Sequence, residues 1–300
     1  MVTKHQKNRF STIRVMLPCL LFFGTLLASD AQTVRNDIPF KGEKQLDTEI
    51  EFALGRLFLK SLPDNNFIMK SQMTYYDKDL KPILEYKVLG NRGRLHLYTH
   101  DKSKEKHFNL KHEKDSYRDS KKNTWELGFN KNIPTSFDIE MGLGDGEMDF
   151  TDIRVTDLSL ECGLSDVTVE FNKRNKEEIQ NLNIETGLGN VTVRGLGLSN
   201  MERFDVECGL GATTLEFNGD LLRDAKGKIS VGLGSVRIKM PDNVGVEVQA
   251  ESSFLSSLNL RGFDRISGDI YRSGNWKNTK KKVYIVVEVG LGSVDFDWID

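Results

Sequence analysis

The sequence predicts an all-β chain, a solenoid of about 22-residue coils that turn at Gly-Leu-Gly corners. Three observations predict it: a short segment that recurs along the chain, a nearly constant step between copies, and apolar alternation on both sides of each copy. The recurring segments are FALGRLFL, MGLGDGEMDF, CGLSDVTVEF, TGLGNVTVRG, CGLGATTLEF, VGLGSVRIKM, SFLSSLNL and VGLGSVDFDW. Their central leucines are Leu54, Leu143, Leu164, Leu188, Leu210, Leu233, Leu255 and Leu291. From Leu143 to Leu255 the steps are 21, 24, 22, 23 and 22 residues, and the flanking steps lengthen to 89 and 36. Val88-Leu89-Gly90 reads as a fainter copy inside the first long gap.

Each copy predicts two strands joined by a bend. Around Leu164 the apolar positions are Leu158, Leu160, Cys162 and Leu164, then Val167, Val169 and Phe171. A period of two on both sides is that of a strand. The parity slips by one after the leucine, which would turn a straight strand inside out and therefore marks a corner. The residue after the leucine is always Gly or Ser: Gly55, Gly144, Ser165, Gly189, Gly211, Gly234, Ser256 or Gly292. Stacked corners bring these residues against each other, where bulk would clash. An antiparallel sandwich is the alternative, because its strands alternate too. Its hairpins favour Asn-Gly or Asp-Gly turns, and this chain has only Asp145-Gly146 and Asn218-Gly219.

Stacking makes two further predictions. The corner leucines should be buried, each stabilising by about 1.5–3 kcal/mol. Met141, Cys162, Thr186, Cys208, Val231 and Val289 should form one inward ladder. Cys162 and Cys208 then lie two coils apart, roughly 9.5 Å. That exceeds the reach of about 7 Å for a disulfide, so both thiols should be free and buried.

The ends and insertions read differently. Lys4, Lys7, Arg9 and Arg14 precede an apolar run from Val15 to Ala28, and Ser29-Asp30-Ala31 offers a small-x-small cleavage site. Residues 1–31 therefore read as a signal peptide, with an uncleaved anchor as the alternative. The run is short for a membrane span of about 20 residues, and no later segment is apolar enough to cross. Removing residues 1–31 takes away four positive charges and one negative, so the net charge of −2 becomes about −5. That balance argues against nucleic acid and against attraction to an anionic membrane surface. Residues 32–45 read as a linker, 46–135 as an N-terminal unit and 136–300 as the regular solenoid. Residues 100–123 are dense in charge without apolar period and read as an exposed excursion. Residues 261–282 read as a detour before the last coil. Asp297 and Asp300 stand where they would blunt an open sheet edge.

These features together resemble the toast-rack superfamily, found in extracytoplasmic parts of Lia-type envelope-stress proteins. The resemblance runs over most of residues 44–300, through IEFALGRLFL, TWELGFNKNIPTSFDIEMGLGDGEMDFTDI and SGDIYRSGNWKNTKKKVYIVVEVGLGSVDF. Trp125, Pro134, Tyr271 and the Gly-Leu-Gly at 290–292 sit where that family places such residues. It implies a right-handed, single-layered β-helix-like domain without known catalytic residues. Relatives are associated with sensing envelope damage or restraining a membrane histidine kinase. This chain lacks their multi-helix anchor.

A search for chemistry finds no committed site. Phosphate-cradling glycine loops lead from a strand into a helix, whereas every Gly-Leu-Gly here leads into another strand. Asp145, Glu147, Asp149 and Asp152 follow the first regular corner, but alternation turns most of them outward, so solvation explains them and calcium is the lesser reading. His96 and His100 share an outer face about 13 Å apart, too far for one zinc ion. His107 and His112 fall in the charged excursion. Asp166, Arg194 and Arg237 would suit a polysaccharide-cleaving β-helix, yet nothing selects a catalytic set from ordinary outward charges. The sequence therefore predicts no catalytic, cofactor or metal residues. It predicts an exported, non-enzymatic scaffold or recognition domain, periplasmic or extracellular, whose partner is an envelope protein or a cell-wall component. A polysaccharide-active enzyme and an adhesin-like structural protein are the alternatives.

Overall fold

The computed structural model of the chain describes residues 31–99, 123–250 and 258–299. The signal segment through Asp30, the charged excursion at 100–122, the Leu255 corner and Asp300 lie outside the described residues. Residues 31–300 form one unit.

Each coil has a first arm, a corner and a second arm, and the arms stack into two faces of one continuous sheet around one core. In β2 (Gln45–Leu62), β7 (Pro134–Asp149) and β8 (Arg154–Glu170) a single strand runs through the corner. These three stack parallel, with Leu54 opposite Leu143 and Leu143 opposite Leu164. In later coils the corner divides the strand. The first arms are then β9 (Ile179–Thr186), β11 (Met201–Cys208) and β13 (Ala225–Val231). Their second arms are β10 (Asn190–Arg194), β12 (Ala212–Glu216) and β14 (Ser235–Pro241). All pair in parallel at a constant register, so the coiled reading holds and the antiparallel sandwich does not.

The N-terminal end departs from the expected layout. Residues expected as a linker form β1 (Gln32–Pro39), which pairs antiparallel with β3 (Phe67–Tyr75). That strand in turn pairs antiparallel with β6 (Thr124–Asn130), the second arm beside β2. The border expected at 135/136 falls inside β7. Val88-Leu89-Gly90 is not a coil corner. It ends β4 (Ile83–Leu89), whose turn through Gly90, at φ +65°, leads into the antiparallel β5 (Arg92–Tyr98). β5 is a first arm beside β2 and β6 is a second arm, so the excursion stands in sequence where other coils carry Gly-Leu-Gly.

The C-terminal end is re-ordered. β19 (Lys281–Val289) and β20 (Ser293–Ile299) form the last coil in sequence but not in space. They lie between β13/β14 and the coil of β15 (Val244–Ala250) with the two-residue β16 (Leu258–Asn259). The 261–282 detour is mostly a hairpin, β17 (Phe263–Ser267) with β18 (Ile270–Ser273), that closes β15 from outside. Asp297 therefore does not guard an outermost edge. It faces Arg237 of the neighbouring coil at 3.4 Å.

The leucine expectation is overturned. Leu164 is 50% exposed, Leu210 56% and Leu291 75%, and Leu54 and Leu143 are only partly covered. The inward series runs Leu158, Leu160 and Cys162, then skips to Ser165, Val167 and Val169. The slip thus precedes the leucine, and the small residue takes the inner side of the corner. The reason is the close approach of successive coils. A Cβ on Gly189 would lie 1.7 Å from the Ser165 carbonyl oxygen, and one on Gly144 1.9 Å from that of Gly55. Nothing larger than the Ser165 side chain occupies the inner side of a described corner, so the leucine turns out. Gly55 and Gly144 also have φ of +128° and +139°, which a substituted residue resists.

The core consists of the inward alternate residues of both arms. Phe129, Phe137, Phe150 and Phe171 pack in sequence with ring centroids 5.0–5.6 Å apart, within the favourable range for aromatic pairs. Asn175, also buried, is fully satisfied. Its Nδ2 donates to the carbonyls of Val155 and Glu177, and its Oδ1 accepts from Val155 N–H. Cys162, Thr186 and Cys208 occupy successive rungs, as the ladder predicted, and both thiols are free and buried. Burial pushes the Cys162 thiol up to about 12, with the Glu161 carboxylate adding to it.

Two outcomes follow. Gly189→Ala should lower stability by about 1–3 kcal/mol or more, because backbone must shift, whereas Leu210→Ala should stay within about 0.5 kcal/mol. Urea denaturation of the two variants checks this. In the chain lacking residues 1–31, a thiol reagent should label neither cysteine in the folded state and both in denaturant.

Candidate functional site

The outward residues line up as strictly as the inward ones, because parallel stacking at constant register repeats each position on the next rung. The exposed leucines make the first such row. Leu188 N–H donates to Gly163, Leu210 N–H to Gly187, Leu233 N–H to Gly209 and Leu291 N–H to Gly232, each at 2.8–2.9 Å. With Leu54, Leu143 and Leu164 they form a seven-rung apolar ridge about 29 Å long. Single exposed leucines are ordinary, but a continuous row is not.

Three residues before each leucine, on the outer face of the first-arm sheet, stands a second row: Glu51, Glu140, Glu161, Glu185, Glu207, Ser230 and Glu288. Like charges on adjacent rungs repel. Glu288 is offset by Lys228 at 3.0 Å and by the Ser230 hydroxyl at 3.1 Å, which hold its carboxyl below the usual range. Among the described residues, Glu161, Glu185 and Glu207 take part in no ion pair. Partial burial raises the Glu185 carboxyl, and Glu161, Glu207 and Asp205 add to the shift. Asp205 is raised by burial and then by Glu207, and its Oδ1 is buried without a hydrogen-bond partner.

Beyond the corner the second arm begins with Arg56, then Asp145, Asp166, Asn190, Ala212, Ser235 and Ser293 on successive rungs. Only beside Leu143 and Leu164 is the ridge thus bordered by carboxylates on both sides, Glu140 with Asp145 and Glu161 with Asp166. Asp145, Glu147, Asp149 and Asp152 are all exposed, as alternation predicted. They do not converge, and Asp152 pairs with Lys173 at 2.9 Å, which lowers its carboxyl. Asp166 accepts from Asn190, Arg194 meets Glu170 at 2.7 Å and Arg237 meets Asp297. Each of these three is engaged in a cross-coil pair rather than gathered at a common point.

At the N-terminal end of the first-arm face a groove of about 590 Å³ opens over Glu49, Glu85, His96 and Asp138. His96 is the one histidine among the described residues, and it faces outward as predicted. Its ring stacks on Tyr98 with centroids 4.4 Å apart. The Tyr98 hydroxyl donates to Glu85 at 3.2 Å. His96 Nε2 lies 3.0 Å from Glu51 Oε1 and 3.8 Å from Glu49 Oε1. His100, His107 and His112 lie outside the described residues. Sequence reasoning missed both the ridge and this cluster. Strict smallness after the leucine was the available signal for the ridge. The cluster needs the register between β2 and β5, about 45 residues apart, which no local pattern supplies.

The raised Glu185 carboxyl makes a pH prediction. A folded value above the unfolded one means the native state holds the extra proton, so this contribution is fully favourable below the ordinary carboxylate range of about 4.3 and is lost as pH rises through the raised value. Glu185→Gln should therefore stabilise at neutral pH, by about 0.2–1 kcal/mol for a solvent-screened group. The gain should vanish as pH falls below the ordinary range, which denaturation midpoints against pH will show.

Among curated proteins no relative matches the chain. Solved structures do. A protein from Clostridium sporogenes, provisionally described as a cell adhesion protein, is 19% identical, with 90% of this chain and 100% of that one covered at a TM-score of 0.44. One from Bacteroides fragilis, provisionally described as an adhesin, is 15% identical, with 89% and 97% covered at a TM-score of 0.37. No helix among the described residues is long and apolar enough to cross a membrane. Residues 27–194, more than half of the 300, match the family model described as the N-terminal domain of toast_rack, DUF2154, and the chain belongs to that family.

Proposed function

We propose that the chain is an exported, non-enzymatic recognition domain of the bacterial envelope, and that its working surface is the leucine ridge with its glutamate border. Family membership supports the envelope setting. The right-handed, single-layered wind expected from the sequence, and cleavage of the signal peptide, belong to this proposal. A role in reporting envelope stress would follow from what the ridge binds.

The observation that carries the reading is the seven-rung apolar row beside a carboxylate row at the same pitch. Its chemistry selects the partner. A second copy seated on the ridge would bring Glu161, Glu185 and Glu207 against its own acidic rows, as would an anionic lipid surface. A cell-wall glycan offers little to a line of leucines. A protein segment that carries both apolar and basic side chains satisfies both rows, the apolar ones lying on the ridge and the cations meeting the carboxylates.

A synthetic peptide composed of Lys and Leu should bind the chain lacking residues 1–31, weaken as salt rises, and lose affinity in the Leu188→Ser, Leu210→Ser double variant. A Glu-Leu peptide of equal length should not bind. Equal binding of the two peptides, or none of either, would overturn the reading, and calorimetry distinguishes these results.

A further inference from the structure

We infer that Glu49, Glu51 and His96 form a binding site for one divalent transition-metal ion of the zinc type, at the end of the glutamate row that Glu51 opens. The three residues come from adjacent parallel strands in fixed register, with Glu49 directly opposite His96 and Glu51 two residues further on the same face. Their donor atoms all lie within 4.8 Å of one another. Ligands about 2.1 Å from a tetrahedral ion are about 3.4 Å apart, and the two distances to His96 Nε2, 3.0 and 3.8 Å, fall on either side of that value. Small rotations of two glutamate side chains close the set.

A hydrogen bond between His96 and Glu51 accounts for the 3.0 Å contact, while Glu49 at 3.8 Å stands beyond hydrogen-bonding distance. A single ring nitrogen carries at most one proton, yet carboxylates from two residues converge on it. A cation at their centre satisfies all three donors together. One nitrogen and two oxygens suit zinc or a neighbouring first-row ion better than calcium or magnesium, which take oxygen alone. The surroundings are built for the purpose. Tyr98 stacks on the imidazole and fixes its plane. The groove leaves room for a water as fourth ligand, and Asp138 lies on the rung beside Glu49. Orientation of this kind is what a second shell contributes to a metal site.

The test is zinc titration of the chain lacking residues 1–31 by calorimetry, with the thermal midpoint as a second readout. The expected result is one zinc ion per chain, a raised midpoint, and affinity lower by about tenfold or more in His96→Ala and in Glu51→Gln, since loss of a second-shell partner alone costs that much. A triple variant, His100→Ala, His107→Ala, His112→Ala, should bind as the parent does. Circular dichroism confirms that each variant is folded, and Glu51→Gln preserves the reading should His96→Ala fail to fold. Absence of binding, or binding that survives both single variants and disappears in the triple, would overturn the assignment.

Discussion

Everything in this molecule depends on how closely successive coils approach at the corner. The carbonyl oxygen of one corner occupies the place where a Cβ on the next would sit, at Gly144, Gly189, Gly211, Gly234 and Gly292 alike. That contact fixes the stacking, and with it the register of both arms. It also settles which residue faces the core. The inner side of the bend admits a hydrogen atom, or in one coil the Ser165 side chain, whose Oγ lies 3.3 Å from the Gly142 carbonyl oxygen. The apolar residue beside it is displaced to the surface by geometry, against its hydrophobicity.

Constant register has a chemical consequence. In a sheet of unrelated strands, outward residues of different kinds meet across the ladder. Here every rung repeats the same grammar, so equivalent positions become rows, and a property weak in one coil becomes extended. Glutamate at the third position before the leucine is harmless alone. Stacked over consecutive rungs it adds mutual repulsion to the partial burial that raises the Glu185 carboxyl. The same repetition turns a single exposed leucine into a ridge. The arrangement costs stability, and a cationic and apolar partner would relieve that cost. Rows with mixed charge, such as Glu170 with Arg194 and Arg237 with Asp297, are internally neutralised and offer no comparable surface.

Much of the fold was legible in the sequence because its signals are local and repeated. The alternation around Leu164, the steps of 21 to 24 residues, and the separation of Cys162 from Cys208 all depend on positions within a coil or between neighbouring coils. What misled was the assumption that leucine faces inward. The residue before the bend and the residue after it differ by one position, so a single misplaced parity step sends the leucine to the wrong side. Val88-Leu89-Gly90 imitated a corner because a hairpin turn also favours glycine after an apolar strand. The spatial order of the last coils was hidden because spacing reports sequence order alone. The cluster at His96 was half legible: alternation gave its outward direction, but not its neighbours on β2.

The place of β19 and β20 bears on how the chain can be made. The C-terminal coil fills an interior slot, between β13/β14 and β15/β16. During synthesis from the N-terminus the outer layer therefore emerges before the layer on which it rests. β15 and its hairpin must wait, without their parallel neighbour, until β19 and β20 arrive, and contacts distant in sequence close late. Arrival of β19 and β20 thus acts as a latch on that end of the solenoid: a protein cut short before them would leave two unsatisfied parallel edges, the kind of surface through which unfinished sheet proteins aggregate.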